Sequence, residues 1–324
     1  MFIAKAALRI AVVSLTLVPC LAVAQADYPN KQIRLLVGFP PGGSTDVLSR
    51  TLAQEARKAL GQEIIVINKP GATGALAVTE VATSPADGYT IGVTPSSAMT
   101  LAHEFQNIRP DLPESTDAIV SVGRQRIGIA IKTDSDIKTF KDFIERARKE
   151  PGKLSLGIPG TGTMTDVLSR AVFREAGVDV NIIPFNGDAP VATAILGGHV
   201  TAGAFSAGGW NPQLQGGTMR LLASMEQERA DLAPDVPTLI ELGYPLKGDA
   251  IQHLYAPKGL PPAVRKKLID VFTEAVLTKN FIDVAKQNAL YDPKIQAGET
   301  LDAYLIKDRA TSKALLEKLG LGKK

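Results

Sequence analysis

Thr45-Asp46-Val47-Leu48-Ser49-Arg50 recurs 120 residues further along the chain as Thr165-Asp166-Val167-Leu168-Ser169-Arg170. Each copy follows a glycine-bearing loop: Pro40-Pro41-Gly42-Gly43-Ser44 in the first, Gly160-Thr161-Gly162-Thr163-Met164 in the second. Each loop in turn follows a short apolar run, Ile33 to Phe39 or Leu154 to Ile158. An apolar run, a glycine turn and a helical pattern, in that order, make a strand-loop-helix unit. Two such units sharing six identical residues predict two related α/β halves. The competing reading is a single doubly wound domain whose helix starts have converged on similar capping residues.

The surrounding sequence continues the alternation. A helix is predicted over Thr45 to Leu60, then a strand over Ile64 to Ile67, then the glycine loop Asn68 to Gly74 opening another helix. In the second half, helices start near Thr165 and Ala189, and strands cover Asn181 to Phe185 and Arg220 to Met225. This order predicts parallel sheets covered by helices on both faces. Open sheets of this kind bind ligands beyond the carboxyl ends of their strands. Both glycine loops fall there.

The chemistry available at such loops is anion binding. The first four N–H groups of a helix lack intrahelical partners, and the macrodipole adds a partial positive charge. Glycines at 42, 43, 160 and 162 let a ligand approach those amides. Hydroxyls of Ser44, Thr45, Thr161, Thr163 and Thr165 can add donors, although ordinary N-capping also uses such residues. Asp46 and Asp166 each have an arginine at i+4, Arg50 or Arg170, and structural roles are favoured for both. They stay on the list of candidate ligand residues, with Phe39, Gly42, Gly43 and Asn186. Ser96 and Ser97, after the apolar run Ile91 to Val93, are candidate wall residues, and so is Ser206 in Phe205-Ser206-Ala207-Gly208. Lys69 reads as a solvated surface cation, and Trp210 either lines a cleft or packs a loop.

Enzyme templates do not fit. The glycine loops lack the lysine of a phosphate-binding loop. Gly203 stands three residues before Ser206, where a nucleophile elbow needs two. His103, His199 and His253 are scattered singly, without metal-ligand spacing. No catalytic residue, metal or cofactor is expected.

Lys5 and Arg9 precede the apolar run Ile10 to Val18 and then small residues, with Ala22-Val23-Ala24 and Ala24-Gln25-Ala26 as cleavage sites. That is the pattern of a secretory signal peptide over 1–26, too short to span a bilayer, which takes about 20 apolar residues. Pro19 directly before Cys20 argues against a lipoprotein. Cys20 is the single cysteine, so the exported chain would hold neither a disulfide nor a thiolate metal site. A formal charge of +3 over 324 residues, with no basic tract, points to neither nucleic acid nor anionic lipid.

Further motifs complete a pattern: Tyr28-Pro29, Gly38-Phe39-Pro40-Pro41-Gly42-Gly43-Ser44-Thr45-Asp46, Asn68-Lys69-Pro70-Gly71-Ala72-Thr73-Gly74, Ala86-Asp87-Gly88-Tyr89-Thr90, Pro151-Gly152-Lys153-Leu154, Leu196-Gly197-Gly198-His199-Val200 and Pro234-Asp235-Val236-Pro237-Thr238. With them the chain resembles, over essentially its whole exported length, the periplasmic substrate-binding proteins of tripartite tricarboxylate transporters, the Bug or TctC family. The resemblance implies a periplasmic binding protein-like Venus-flytrap of two doubly wound α/β domains joined by a hinge. Domain 1 would comprise 27–122 plus 250–324, and domain 2 would comprise 123–249. It implies a carboxylate held by backbone amides and ordered waters from Gly42 to Asp46 and from Gly160 to Thr163. It also implies delivery of the ligand to membrane permease subunits by a monomer. Two departures stand out: Asp166 where many relatives have histidine, and Ser206 where many have aspartate. An acid near 206 would suit an ammonium group, so its loss leads us to expect a non-amino mono- or dicarboxylate, aromatic acids included. Hinge points are expected near Val122-Gly123 and Gly248 to Ile251. A ligand-presenting sensor component is the alternative function, and a hydrolase or transferase the least favoured one.

Overall fold

The computed structural model describes residues 28–101, 110–230, 232–248 and 250–321. The expected signal peptide and His103 lie outside them. Two five-stranded sheets organise the chain. The first contains β1 (Ile33–Val37), β2 (Ile64–Asn68), β3 (Thr90–Pro95), β4 (Thr116–Arg124) and β10 (Ile251–Pro257), in the order β2-β1-β3-β10-β4. The second contains β5 (Ile127–Lys132), β6 (Ser155–Ile158), β7 (Asn181–Pro184), β8 (Ala202–Ser206) and β9 (Met219–Ser224), in the order β7-β6-β8-β5-β9. The two orders are the same arrangement, with β1 matched to β6, β2 to β7, β3 to β8, β10 to β5 and β4 to β9.

The sheets are mixed, where an all-parallel arrangement was expected. β10 runs antiparallel to β3 and β4, and β5 antiparallel to β8 and β9. Each of these strands begins directly after the chain has passed from the other sheet, so it enters from the opposite end. Apolar periodicity reports burial and is blind to strand direction, which is why the difference was invisible in sequence.

Helices cover both faces of each sheet. α1 (Ser44–Leu60), α8 (Pro262–Val276) and α9 (Lys279–Gln287) pack Leu48, Leu52, Phe272 and Phe281 against Ile33, Leu35 and Val37. α2 (Ala75–Ala82) and α3 (Ser96–Thr100) bury Val78, Val81 and Met99 with Leu36 on the other face. In the second sheet, α4 (Phe140–Lys149) and α5 (Met164–Ala176) lie on one face, with Phe143, Val167 and Leu168 against Ile129 and Leu156. α6 (Asp188–Leu196) and α7 (Ala207–Gln215) lie on the other, with Val191, Ile195 and Trp210 against Ala130 and Phe205. Strands buried on both faces read as continuous apolar runs, as found here. Trp210, 1% exposed, is therefore a core residue.

The passages between sheets lie side by side. Gln125 N–H donates to the Ala250 carbonyl at 2.7 Å, and Gly248 N–H to the Met225 carbonyl at 2.7 Å. The half-buried Arg126 pairs with Glu226 at 2.8 Å, and Ile127 N–H donates to the same carboxylate at 3.2 Å. Val122 and Gly123 sit inside β4, just before this passage. A third link is α10 (Glu299–Leu319): Leu301 packs with Ala118 and Ile251 of the first sheet, while Leu316 and Leu319 join the core of the second.

Candidate functional site

The repeated hexapeptide folds into the same local structure twice. Gly42 and Gly162 both hold positive φ, 83° and 78°, which glycine adopts without steric cost. That conformation aims each amide at an aspartate four residues on: Gly42 N–H to Asp46 Oδ2 and Gly162 N–H to Asp166 Oδ2, both at 2.9 Å. Arg50 Nε donates to Asp46 at 3.0 Å and Arg170 Nε to Asp166 at 2.7 Å. Ser49 and Ser169 hydroxyls donate to the carbonyls of Thr45 and Thr165, both at 2.6 Å. Each aspartate thus closes its own glycine loop and turns away from the space in front of it.

That space is a cleft between the carboxyl ends of the two sheets, about 660 Å³ with its solvent-facing mouth included. Of the residues singled out in sequence, Phe39, Gly43, Ser44, Thr45, Ser97, Thr163, Thr165, Asn186 and Ser206 line it. Gly160 and Thr161 line an adjoining space that shares Phe39, Pro40, Thr73 and Asn186 with the cleft. Gly42, Asp46, Ser96, Gly162 and Asp166 line neither. Among the described residues, no lysine, arginine or histidine lines the cleft. Lys69 is paired with Glu80 instead, and His253 is fully buried in β10.

What the cleft offers is helix starts. α1, α5, α6 and α7 all begin at its wall, at Ser44, Met164, Asp188 and Ala207. The start of α1 carries no side-chain cap, because its N-cap is Gly43. At α5, Thr163 Oγ1 caps Asp166 N–H at 3.2 Å and pairs with Thr165 Oγ1 at 2.9 Å. Thr45 Oγ1 accepts from Gln252 Nε2 at 2.9 Å, which leaves its proton free to point elsewhere. Uncapped amides at several converging helix starts bind an anion without a side-chain cation.

The pKa values of the two aspartates shift in opposite directions despite their matching geometry. Burial pushes the Asp46 carboxyl up, but Arg50, Gly42 N–H and Asn68 Nδ2, the last at 2.9 Å, together hold it below the ordinary range. Burial pushes Asp166 up, and the offset from Gly162 N–H and Arg170 leaves it raised.

Three contributors were missed in sequence. Gln125 lines the cleft from the passage between sheets. Thr73 reaches across it: its Oγ1 donates to the Thr161 carbonyl at 2.7 Å, from a turn in which Ala72 and Thr73 hold positive φ of 48° and 57°. That conformation is costly for a β-branched residue. Asp188 is the third. Its Oδ1 accepts from Ser206 N–H at 3.1 Å, and its Oδ2 from Ser206 Oγ at 2.5 Å and from Ser44 Oγ at 3.4 Å. Asp188 as a whole residue keeps some exposure, but its carboxyl is enclosed, and that burial raises it above the ordinary range. The available signal was an acid opening a helix after a strand, the feature that had drawn attention to Asp46 and Asp166.

Two mixed α/β lobes around a cleft lined by helix starts have the architecture of a two-lobed solute-binding protein. Residues 48–321 match the family described as "Tripartite tricarboxylate transporter family receptor", and the chain belongs to that family. It is 34% identical over 323 residues, covering 99% of this chain and 98% of its relative, to the "UPF0065 protein in gbd 5'region" of Cupriavidus necator. The structure of the periplasmic binding protein BugD superposes with a TM-score of 0.84 at 26% identity, covering 92% of this chain and all of BugD. MatC from Rhodopseudomonas palustris with bound malate shares the fold, with a TM-score of 0.83 at 23% identity, covering 89% of this chain and all of MatC. Receptors of this family are periplasmic substrate-binding proteins, and this chain is a binding protein, not an enzyme.

Proposed function

We propose that this protein captures a small organic carboxylate between its two lobes and delivers it to the membrane permease subunits of a tripartite tricarboxylate-type transporter. The supporting observation is the convergence of helix starts, uncapped at α1, on a cleft without side-chain cations. The carboxylate would sit against the amides of Ser44 and Thr45 and those at the start of α5, with Ser97 and Asn186 as walls. Asp46 and Asp166 shape the loops and do not touch the ligand. Residues 27–122 with 250–324 would move against 123–249 about the paired passages near Gln125 and Gly248, the ligand selecting the closed form by its better contacts there. Removal of residues 1–26 during export would release a periplasmic monomer.

The expectation of a non-amino acid rested on the missing acid at position 206. Asp188, hydrogen-bonded to Ser206, puts an acid there, so the proposal keeps the carboxylate and leaves its substituent open. A protein of the same fold, MatC, holds malate. The test is a thermal-shift screen of organic acids with their neutral amides as controls. A true ligand at a hundred times its Kd should stabilise the protein by about 2.7 kcal/mol, and its amide far less. If amides stabilise as well as acids, the carboxylate assignment fails. Uptake of the best acid by cells with and without the protein then tests delivery.

A further inference from the structure

Asp188 differs from the other acids at helix starts in this protein. Asp46 and Asp166 each have an arginine, whereas among the described residues Asp188 has neutral hydrogen-bond partners: the Ser206 amide and hydroxyl and, more distantly, the Ser44 hydroxyl. The elements packed around it bring no cation to the cleft. α1 offers Ser44, the end of β8 offers Ser206, and the facing stretches Pro159 and Thr163 to Thr165 bear no charge. Burial raises the Asp188 carboxyl above its ordinary range, and its own position at the start of α6, the Ser206 amide at the start of α7 and the Ser206 hydroxyl act against that by stabilising the ionised form. An ionised carboxylate offers about four lone-pair sites, and among the described residues three donors meet this one.

Two carboxylates that are both ionised repel strongly in a cation-free space. The ligand's carboxylate therefore belongs at the uncapped start of α1 and at α5, and the part of the ligand facing Asp188 has to donate a hydrogen bond. We propose that Asp188 is the specificity-determining residue of the cleft, selecting carboxylates that carry a proton-donating substituent, hydroxyl or ammonium, over unsubstituted acids of the same skeleton. This rests on the carboxylate assignment made above. It also explains Ser206: the serine completes Asp188's shell in place of carrying a charge itself.

The test is calorimetry with two matched sets, propionate, lactate and alanine, and 3-phenylpropionate, 3-phenyllactate and phenylalanine, together with propionamide and 3-phenylpropionamide. In at least one set the wild-type protein should bind the hydroxy or amino acid roughly tenfold or more tighter than the unsubstituted acid, as expected for a hydrogen bond to a charged group. Whichever of hydroxyl and ammonium gives the larger gain identifies the donor. Asp188→Asn should erase that preference, most of all for an ammonium, so that the substituted and unsubstituted acids of one set bind alike. Equal binding of substituted and unsubstituted acids by the wild-type protein would overturn this proposal alone, whether or not the variant folds. So would an Asp188→Asn variant that weakens all three acids equally, since that indicates a purely structural role. Amides binding as well as the acids, or no acid binding at all, would overturn the carboxylate assignment and this proposal with it.

Discussion

Gly208, the second residue of α7, lies where the two lobes touch. A methyl group added there would stand 1.8 Å from Ser44 Oγ, 2.8 Å from Ser44 Cβ and 3.2 Å from Ser44 Cα. Rotating the serine hydroxyl relieves the first clash and leaves the other two. Carbon atoms in favourable contact sit about 3.5–4.0 Å apart, so in Gly208→Ala the starts of α1 and α7 would have to separate by somewhat under about 1 Å. Overpacking of this kind costs roughly 1–3 kcal/mol. In the proposed hinge motion an open form would not feel the clash, so the cost would fall on the closed form. At about 1.4 kcal/mol per factor of ten, ligand affinity should drop roughly 5- to 150-fold. The same substitution removes a glycine from a helix, which favours the folded lobe by up to about 1 kcal/mol. Calorimetry with the best acid should therefore show weaker binding while the unliganded protein melts no lower than wild type, and small-angle scattering should show incomplete compaction at saturation. Wild-type affinity in Gly208→Ala would refute the idea that α1 and α7 meet in the ligand-holding state. So would a loss of affinity that merely tracks a loss of thermal stability.

Thr73→Val keeps the shape of the residue and removes the hydroxyl that donates across the cleft to Thr161; affinity should fall about three- to fivefold, as for one neutral hydrogen bond, and an unchanged Kd would remove Thr73 from the closure contacts. His253 is fully buried in β10, and burial pushes its pKa from 6.5 to about 4, against a smaller opposing effect of the Ile251 backbone. The folded state then binds fewer protons than the unfolded state between those values, so stability is complete above pH 6.5 and declines as pH falls toward 4. Between pH 7 and pH 5 this amounts to about 2 kcal/mol. His253→Leu should flatten that part of the denaturation profile, and matching slopes for variant and wild type would sink the assignment.

Much of the fold was legible because its strands are buried on both faces. Ile33 to Val37 and Leu156 to Ile158 read as apolar runs, since helices cover each side. The glycine loops were legible because a turn with positive φ at Gly42 or Gly162 has few sequence solutions. The direction of β5 and β10 was not, since it depends on where the chain re-enters each sheet. Asp188 escaped for a different reason. Its importance comes from Ser206 and Ser44, 18 and 144 residues away in sequence, and no local pattern encodes that meeting.

The repeat itself shows where sequence identity stops determining chemistry. Asp46 and Asp166 share a hexapeptide, a loop amide and an arginine, yet one carboxyl is held below the ordinary range and the other is pushed above it. At the end of β2, Asn68 gives Asp46 a further hydrogen bond; the matching end of β7 is Pro184, which has no side-chain donor to give. A hexapeptide can specify the loop it closes, because every partner lies within four residues. It cannot specify the pKa of its own aspartate, which depends on how deeply the surrounding lobe buries the carboxyl and on what the neighbouring strand donates to it. The same division runs through the cleft. Repeated positions build the two helix starts proposed to receive a carboxylate, and unrepeated ones, Thr73 and Asp188, reach between the lobes, Asp188 with the proposed role of setting what else the ligand must carry. Exchanging the unrepeated residues should therefore change the choice of ligand while leaving both glycine loops intact.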